Sequence, residues 1–160
     1  MKISSHKGVS IVEIVVAAGI IATSVIGIVG AIQVYLKIVY ANTRETQAVL
    51  LLDETAEALQ YLRDTSYGST IASTTANTTY TLYWNGTGYQ LATSTISLPY
   101  DMNRTILFNS VYRDGSDQIV SSGGTIDSNT KKATINIAWP YKGATTTLSS
   151  EVLIHNIYAN

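Results

Sequence analysis

Hydrophobic positions follow three rhythms along this chain. From Ile14 to Ile32, 19 residues pass without a charge, and almost all are Ile, Val, Ala or Gly. A helix rising about 1.5 Å per residue over that run is just long enough to cross a hydrocarbon core ~30 Å thick. The β-branched content would favour a strand in water, but in lipid the backbone must bond to itself and a helix wins. The second rhythm runs from Tyr40 to Asp64, a stretch with no Pro or Gly. Here Ala48, Leu52, Ala56, Leu59 and Leu62 recur at three- and four-residue steps, with Leu51, Ala58 and Tyr61 beside them. That spacing predicts an amphipathic helix with one apolar stripe. Glu45, Asp53, Glu54, Glu57 and Arg63 lie off the stripe or at its margin. Ser66-Tyr67-Gly68 breaks the pattern, with Gly68 as the stop. One helix is therefore expected over 9–66, membrane-spanning over 9–36 and amphipathic over 37–66.

The third rhythm is alternation. After a Thr/Ser/Ala linker, YTLYW-NGTG-YQLA predicts a β-hairpin, with Tyr80, Leu82 and Trp84 on one face and Asn85-Gly86 at the positive-φ turn. RTILFNSVYR, 104–113, is a second strand, followed by the turn residues Asp114-Gly115-Ser116-Asp117 and a short QIV. KATINIAW, 132–139, alternates Ala133, Ile135, Ile137 and Trp139 against Thr134, Asn136 and Ala138, and Pro140 is expected to end it. Lys142-Gly143 turns the chain into a last strand over 145–157, with Leu148, Val152 and Ile154 on one face. The fold class predicted is α+β: a long N-terminal helix packed on an antiparallel sheet of four or more strands, with the β-rich domain over 67–160.

Composition sharpens this division. Charged residues are 13% of the chain, yet between Lys7 and Lys37 the one charge is Glu13. Nine of the eleven tyrosines lie beyond Tyr40, in the polar half. A net charge of −1 points away from nucleic acid. With no cysteine, neither a disulfide framework nor a thiolate metal site is available.

Glu13 is the residue that needs an account. Three readings of the N-terminal segment compete. A secretory signal peptide would be cut near Val29 and Ala31, but the apolar run is longer than the usual signal core and holds a carboxylate. A plain signal anchor explains the length and places the basic Lys2 and Lys7 inside. It leaves Glu13 as an interfacial residue, where a carboxylate costs less than the ~2.5–3.5 kcal/mol charged at a helix centre.

The third reading uses every residue. A short polar leader, MKISSHKG, ends in Lys7-Gly8, and Val9-Ser10-Ile11-Val12-Glu13 opens the apolar run. This resembles the type IV pilin and type II secretion pseudopilin family. The resemblance implies that a prepilin peptidase cuts after Gly8 and methylates the new N-terminus at Val9. It implies that Glu13, the fifth residue after Gly8, sets filament register by pairing with the Val9 amine of a neighbouring subunit. Val9 stands where phenylalanine is commoner, and the helix has no proline near its middle. AVLLLDETAEALQYLRD and the pair ILFNSVYRDGSDQIV and TINIAWPYKGATTTLSSEV are similar to V-type minor pilins and I-type minor pseudopilins. The cysteine-closed loop of many major pilins is missing, and major-pilin status stays open.

The family thus implied has a single-pass subunit in the cytoplasmic membrane, with its N-terminus inside and its β-domain outside. An inner-membrane assembly platform then moves it from lipid into a cell-surface filament with other pilin subunits. No catalysis, cofactor or nucleic-acid partner is expected. Asp114, Asp117 and Asp127, with Asn129, are weak calcium candidates, since loop oxygens suit a hard cation, but their spacing matches no EF-hand. Asp-Gly and Asp-Ser-Asn are also ordinary turn formers. Lys131-Lys132 reads as a solvated strand start, and Glu54 and Glu57 as a solvated helix face. His155 has no recognisable nucleophile partner in sequence. Asn77, Asn85 and Asn103 open N-x-Thr sequons, which matter only in a glycosylating host.

Overall fold

The computed structural model describes residues 10–159. The expected processing point, Gly8 and Val9, lies outside the described residues. By its contacts the chain divides into two compact units, one ending at Thr43 and one spanning Arg44–Asn160. A single helix, α1, runs Ile11–Ser66 and contributes to both.

In the N-terminal unit the helix is apolar on all sides, and long and apolar enough to cross a membrane. The hydroxyls of Thr23 and Ser24, inside the apolar run, bond within the helix. Thr23 donates to the Gly19 and Ile20 carbonyls, both at 3.0 Å, and Ser24 to that of Ile20 at 2.7 Å. Such internal bonding removes the cost of a polar group in hydrocarbon.

The C-terminal unit packs the amphipathic half of α1 on a six-stranded antiparallel sheet. The strands are β1 (Thr79–Trp84), β2 (Tyr89–Ala92), β3 (Asn103–Arg113), β4 (Ile119–Val120), β5 (Thr125–Tyr141) and β6 (Ala144–His155). Their order is β2-β1-β3-β5-β6, with β4 paired to β3. Buried on the helix side are Ala48, Thr55, Ala58, Leu59 and Leu62. Against them lie Leu82, Ile106, Phe108, Ala133, Ile135, Ile137, Trp139 and Ile154 from the sheet. The alternation of KATINIAW is reproduced, since every second residue of that run is buried. This is the α+β layout expected from the three rhythms.

Four local features differ from expectation. Pro140 does not end β5, which continues to Tyr141 and pairs Pro140 with Thr145. β3 stops pairing with β5 at Ala138, so β5 is an edge beyond it and a residue without an N–H is tolerated there. β5 also starts earlier than expected, at Thr125. Its register against β3 jumps from Ser110↔Lys131 to Val111↔Asp127, leaving Ser128, Asn129 and Thr130 as a bulge that no periodicity marks. At the hairpin only Gly86 has positive φ. Asn85 works instead through its side chain, whose oxygen accepts the Thr87 and Gly88 amides at 2.9 and 3.0 Å. Lastly, the Thr/Ser/Ala segment after α1 is a series of turns that buries Ile71 completely.

Candidate functional site

Glu13 stands in the first turn of α1, where its backbone amide bonds to the Ser10 carbonyl at 3.0 Å. A carboxylate there is favoured by the unpaired amides of the helix start. Around it Ile11, Val12, Ile14, Val15 and Val16 are all exposed. None of the ion pairs among the described residues involves Glu13. Further along, a Cβ built on Gly19, Gly27 or Gly30 would meet nothing within 4 Å. Those three positions are open to close approach by another helix. The arrangement offers an apolar cylinder carrying one ionisable group near its start, a surface that needs lipid or other helices around it.

The three acidic calcium candidates are brought together at one end of the sheet, around an open cleft of about 460 Å³. They do not form a cation cage. Arg113 reaches into them, with Nε 2.7 Å from Asp127 Oδ2 and 3.6 Å from Asp117 Oδ1. Asp127 also accepts Thr130 Oγ1 at 2.6 Å and the Asn129 amide at 2.9 Å. Asp114 is committed to the Ser116 and Gln118 amides. Among the described residues no group of three or more His, Asp or Glu side chains is placed to hold a metal ion. Burial pushes the Asp127 carboxyl up, but the hydrogen bonds from Thr130, Arg113 and the Asn129 amide, with the Arg113 charge, outweigh it and hold the group below its ordinary value. His155 joins this network through Nδ1, 2.9 Å from Thr130 Oγ1. Tyr67 is buried, and burial first, then the Asp127 charge, raises its phenol.

A second polar centre lies within the core. Arg104 is 4% exposed. Its Nη2 donates to the Leu82 carbonyl at 2.7 Å, and its Nη1 to Thr55 Oγ1 at 3.2 Å and Glu54 Oε1 at 3.4 Å. One guanidinium therefore ties α1 to β1 and β3. Glu54 is thus not merely a solvated helix residue, although its side chain is 42% exposed. Lys132, of the Lys131-Lys132 pair, is bonded to Glu151 at 3.0 Å.

Comparison of the chain with family models, with curated proteins and with solved structures finds no match. Arg104 is not singled out by its sequence context, although a signal is present: it shares the phase of Ile106 and Phe108 along β3, which puts it on the apolar face. The Arg113–Asp127–Thr130–His155 network had no such signal, because the β5 bulge assembles it from distant positions.

Proposed function

We propose that this chain is a structural subunit of a type IV pilus or type II secretion-like filament, of the minor pilin or pseudopilin kind. The observation that supports it best is the N-terminal half of α1: apolar on every side, exposed throughout, with Glu13 near its start and five residues past Gly8. Before assembly that surface is covered by the lipid of the cytoplasmic membrane, N-terminus inside and sheet domain outside. A prepilin peptidase cuts between Gly8 and Val9 and methylates Val9. An inner-membrane assembly platform then draws the subunit into a bundle, where neighbouring helices replace lipid. Glu13 supplies register. Unpaired in an apolar bundle it is penalised, and beside the Val9 amine of the next subunit it is compensated. The subunit itself catalyses nothing, and it requires neither metal nor cofactor.

Co-expression with a prepilin peptidase, followed by intact mass and N-terminal sequencing, tests this directly. The expected product starts at Val9 and carries one added methyl. A chain still starting at Met1 would favour a static signal-anchored binding domain, and one starting near Ile32 a secreted one. In a filament assay Glu13→Ala should lower subunit incorporation at least about tenfold, ~1.4 kcal/mol of docking, with membrane levels unchanged. Silent behaviour of that variant would remove the role given to Glu13. Abundance in sheared filaments would separate the alternative of a major pilin from a minor one.

A further inference from the structure

We infer that the C-terminal unit binds a neutral saccharide, in a groove between the turns that follow α1 and the β1–β2 hairpin. The groove has a volume of about 480 Å³, and no charged side chain lines it. That size falls within the range of small-ligand sites. An uncharged lining gives an ionic ligand nothing in return for lost hydration, which selects against one.

The hydrogen-bonding polarity of the lining narrows the choice. A hydroxyl has one hydrogen to give and two lone pairs to accept with. Along the turns that hydrogen is already committed to backbone carbonyls. Thr70 Oγ1 donates to Ser66 O at 2.6 Å, Ser69 Oγ to Ser66 O at 3.3 Å and Ser73 Oγ to Thr70 O at 2.8 Å. These side chains therefore face a ligand as acceptors. Across from them Tyr80, which also lines the groove, accepts the Thr75 amide on its hydroxyl oxygen at 2.9 Å, which leaves the phenol hydrogen to donate to a ligand. The complement is a molecule rich in hydroxyl donors that also accepts a few bonds, which describes a polyol.

An aromatic wall continues the groove and selects a ring over an open chain. Tyr89 lines the groove. Trp84 stands edge-on to it at 5.2 Å, and Tyr61 edge-on at 6.4 Å. The indole of Trp84 is 58% exposed and Tyr61 48% exposed. Trp84 shares the phase of Tyr80 and Leu82 along β1, yet it sits beyond the edge of the core and more than half exposed. A pyranose presents a flat C–H face for such a ring and hydroxyls around its rim for the acceptors. The inference stands apart from the filament reading, and no result on maturation bears on it.

The test uses the full chain in a zwitterionic detergent without a sugar headgroup. Of the two tryptophans, Trp139 is only 6% exposed, so a change in emission on titration reports Trp84. The probes are cellohexaose, chitohexaose and maltohexaose, with an oligogalacturonate as charged comparator. At least one neutral hexasaccharide should shift the emission saturably, with a Kd of about 1 mM or tighter, and the galacturonate should not. By calorimetry, Tyr80→Phe and Trp84→Ala should each weaken binding about tenfold, with far-UV dichroism and thermal unfolding unchanged. No binding of any neutral probe up to about 10 mM would overturn the inference. So would binding of the charged comparator as tightly as the neutral ones, or undiminished binding by both variants. If no sugar binds and Trp84→Ala instead changes the association state by light scattering, the groove belongs to a second copy of the chain.

Discussion

Arg104 carries a guanidinium from β3 into the apolar face between α1 and the sheet, and its nitrogens end on two other elements, α1 and β1. Its Nη2 covers the Leu82 carbonyl, and its Nη1 meets Thr55 and Glu54. Removing the side chain leaves a cavity and strips a buried carbonyl of its donor. Arg104→Ala should cost ~2–4 kcal/mol in urea unfolding. Arg104→Met, which refills the space, should cost less, and Glu54→Ala at the wet end under ~1 kcal/mol. Equal losses for Arg104→Ala and Glu54→Ala would mean that the ion pair, not the packing and the carbonyl bond, matters. Asp127 makes a different prediction. Its folded pKa is depressed, so it binds protons less readily in the native state than in the unfolded state. Its contribution is complete above the unfolded value of about pH 4 and is lost as pH falls through the folded one. Asp127→Asn should cost ~1–3 kcal/mol at neutral pH and flatten the fall of stability with pH below about pH 4. An unchanged acid limb in that variant would deny the network this role.

At the level of elements, the stripe on α1 can be tested by pairing positions. Leu59 is fully buried against the sheet, while Leu50 is exposed on the opposite side. Leu59→Ala should cost ~2–5 kcal/mol and Leu50→Ala no more than ~0.5 kcal/mol, both read from thermal or urea unfolding. Gly124, which leads into β5, is a second test. A Cβ there would collide with the Arg113 carbonyl and sit 2.9 Å from Val120 Cγ2, so Gly124→Ala should cost ~1–3 kcal/mol although its backbone is ordinary. The stripe was readable in the sequence because Ala48, Leu59 and Leu62 obey one period, as were Ile135 and Ile137, which obey another. Gly124 and the Ser128–Thr130 bulge were not. They depend on β3 and β4 crossing the start of β5, a long-range fact with no period of its own. Trp84 shows the converse. Its phase was read correctly as that of Leu82, but phase does not say where the core ends. The acidic cluster near His155 was read residue by residue; the local Arg113–Asp117 pair and the bulge that sets Asp127 beside Arg113 tie two of its three carboxylates to one guanidinium.

Across the whole molecule, two kinds of surface belong to two compact units. Up to Thr43 the helix exposes Ile and Val on every side, which water disfavours by about 25 cal/mol for each Å². From Arg44 onward, the amphipathic half of α1 closes over the sheet and supplies one side of a single core. A fragment spanning Arg44–Asn160 therefore keeps every residue of that core, and Glu45 falls in the first turn of its shortened helix, where a carboxylate is favourable. Expressed without the preceding segment, it should stay in the aqueous fraction as a monomer and unfold cooperatively in urea. Its near-ultraviolet dichroism should carry the signal of the buried Trp139. The full chain should partition into membranes or require detergent. Aggregation of the fragment, or loss of the Trp139 signal, would show that the sheet domain depends on the apolar half for its fold and not only for its placement. A soluble, folded fragment would mean that lipid or a neighbouring subunit is needed by the N-terminal unit alone. A filament subunit requires that division: its sheet domain must survive unchanged while the surroundings of its helix are exchanged.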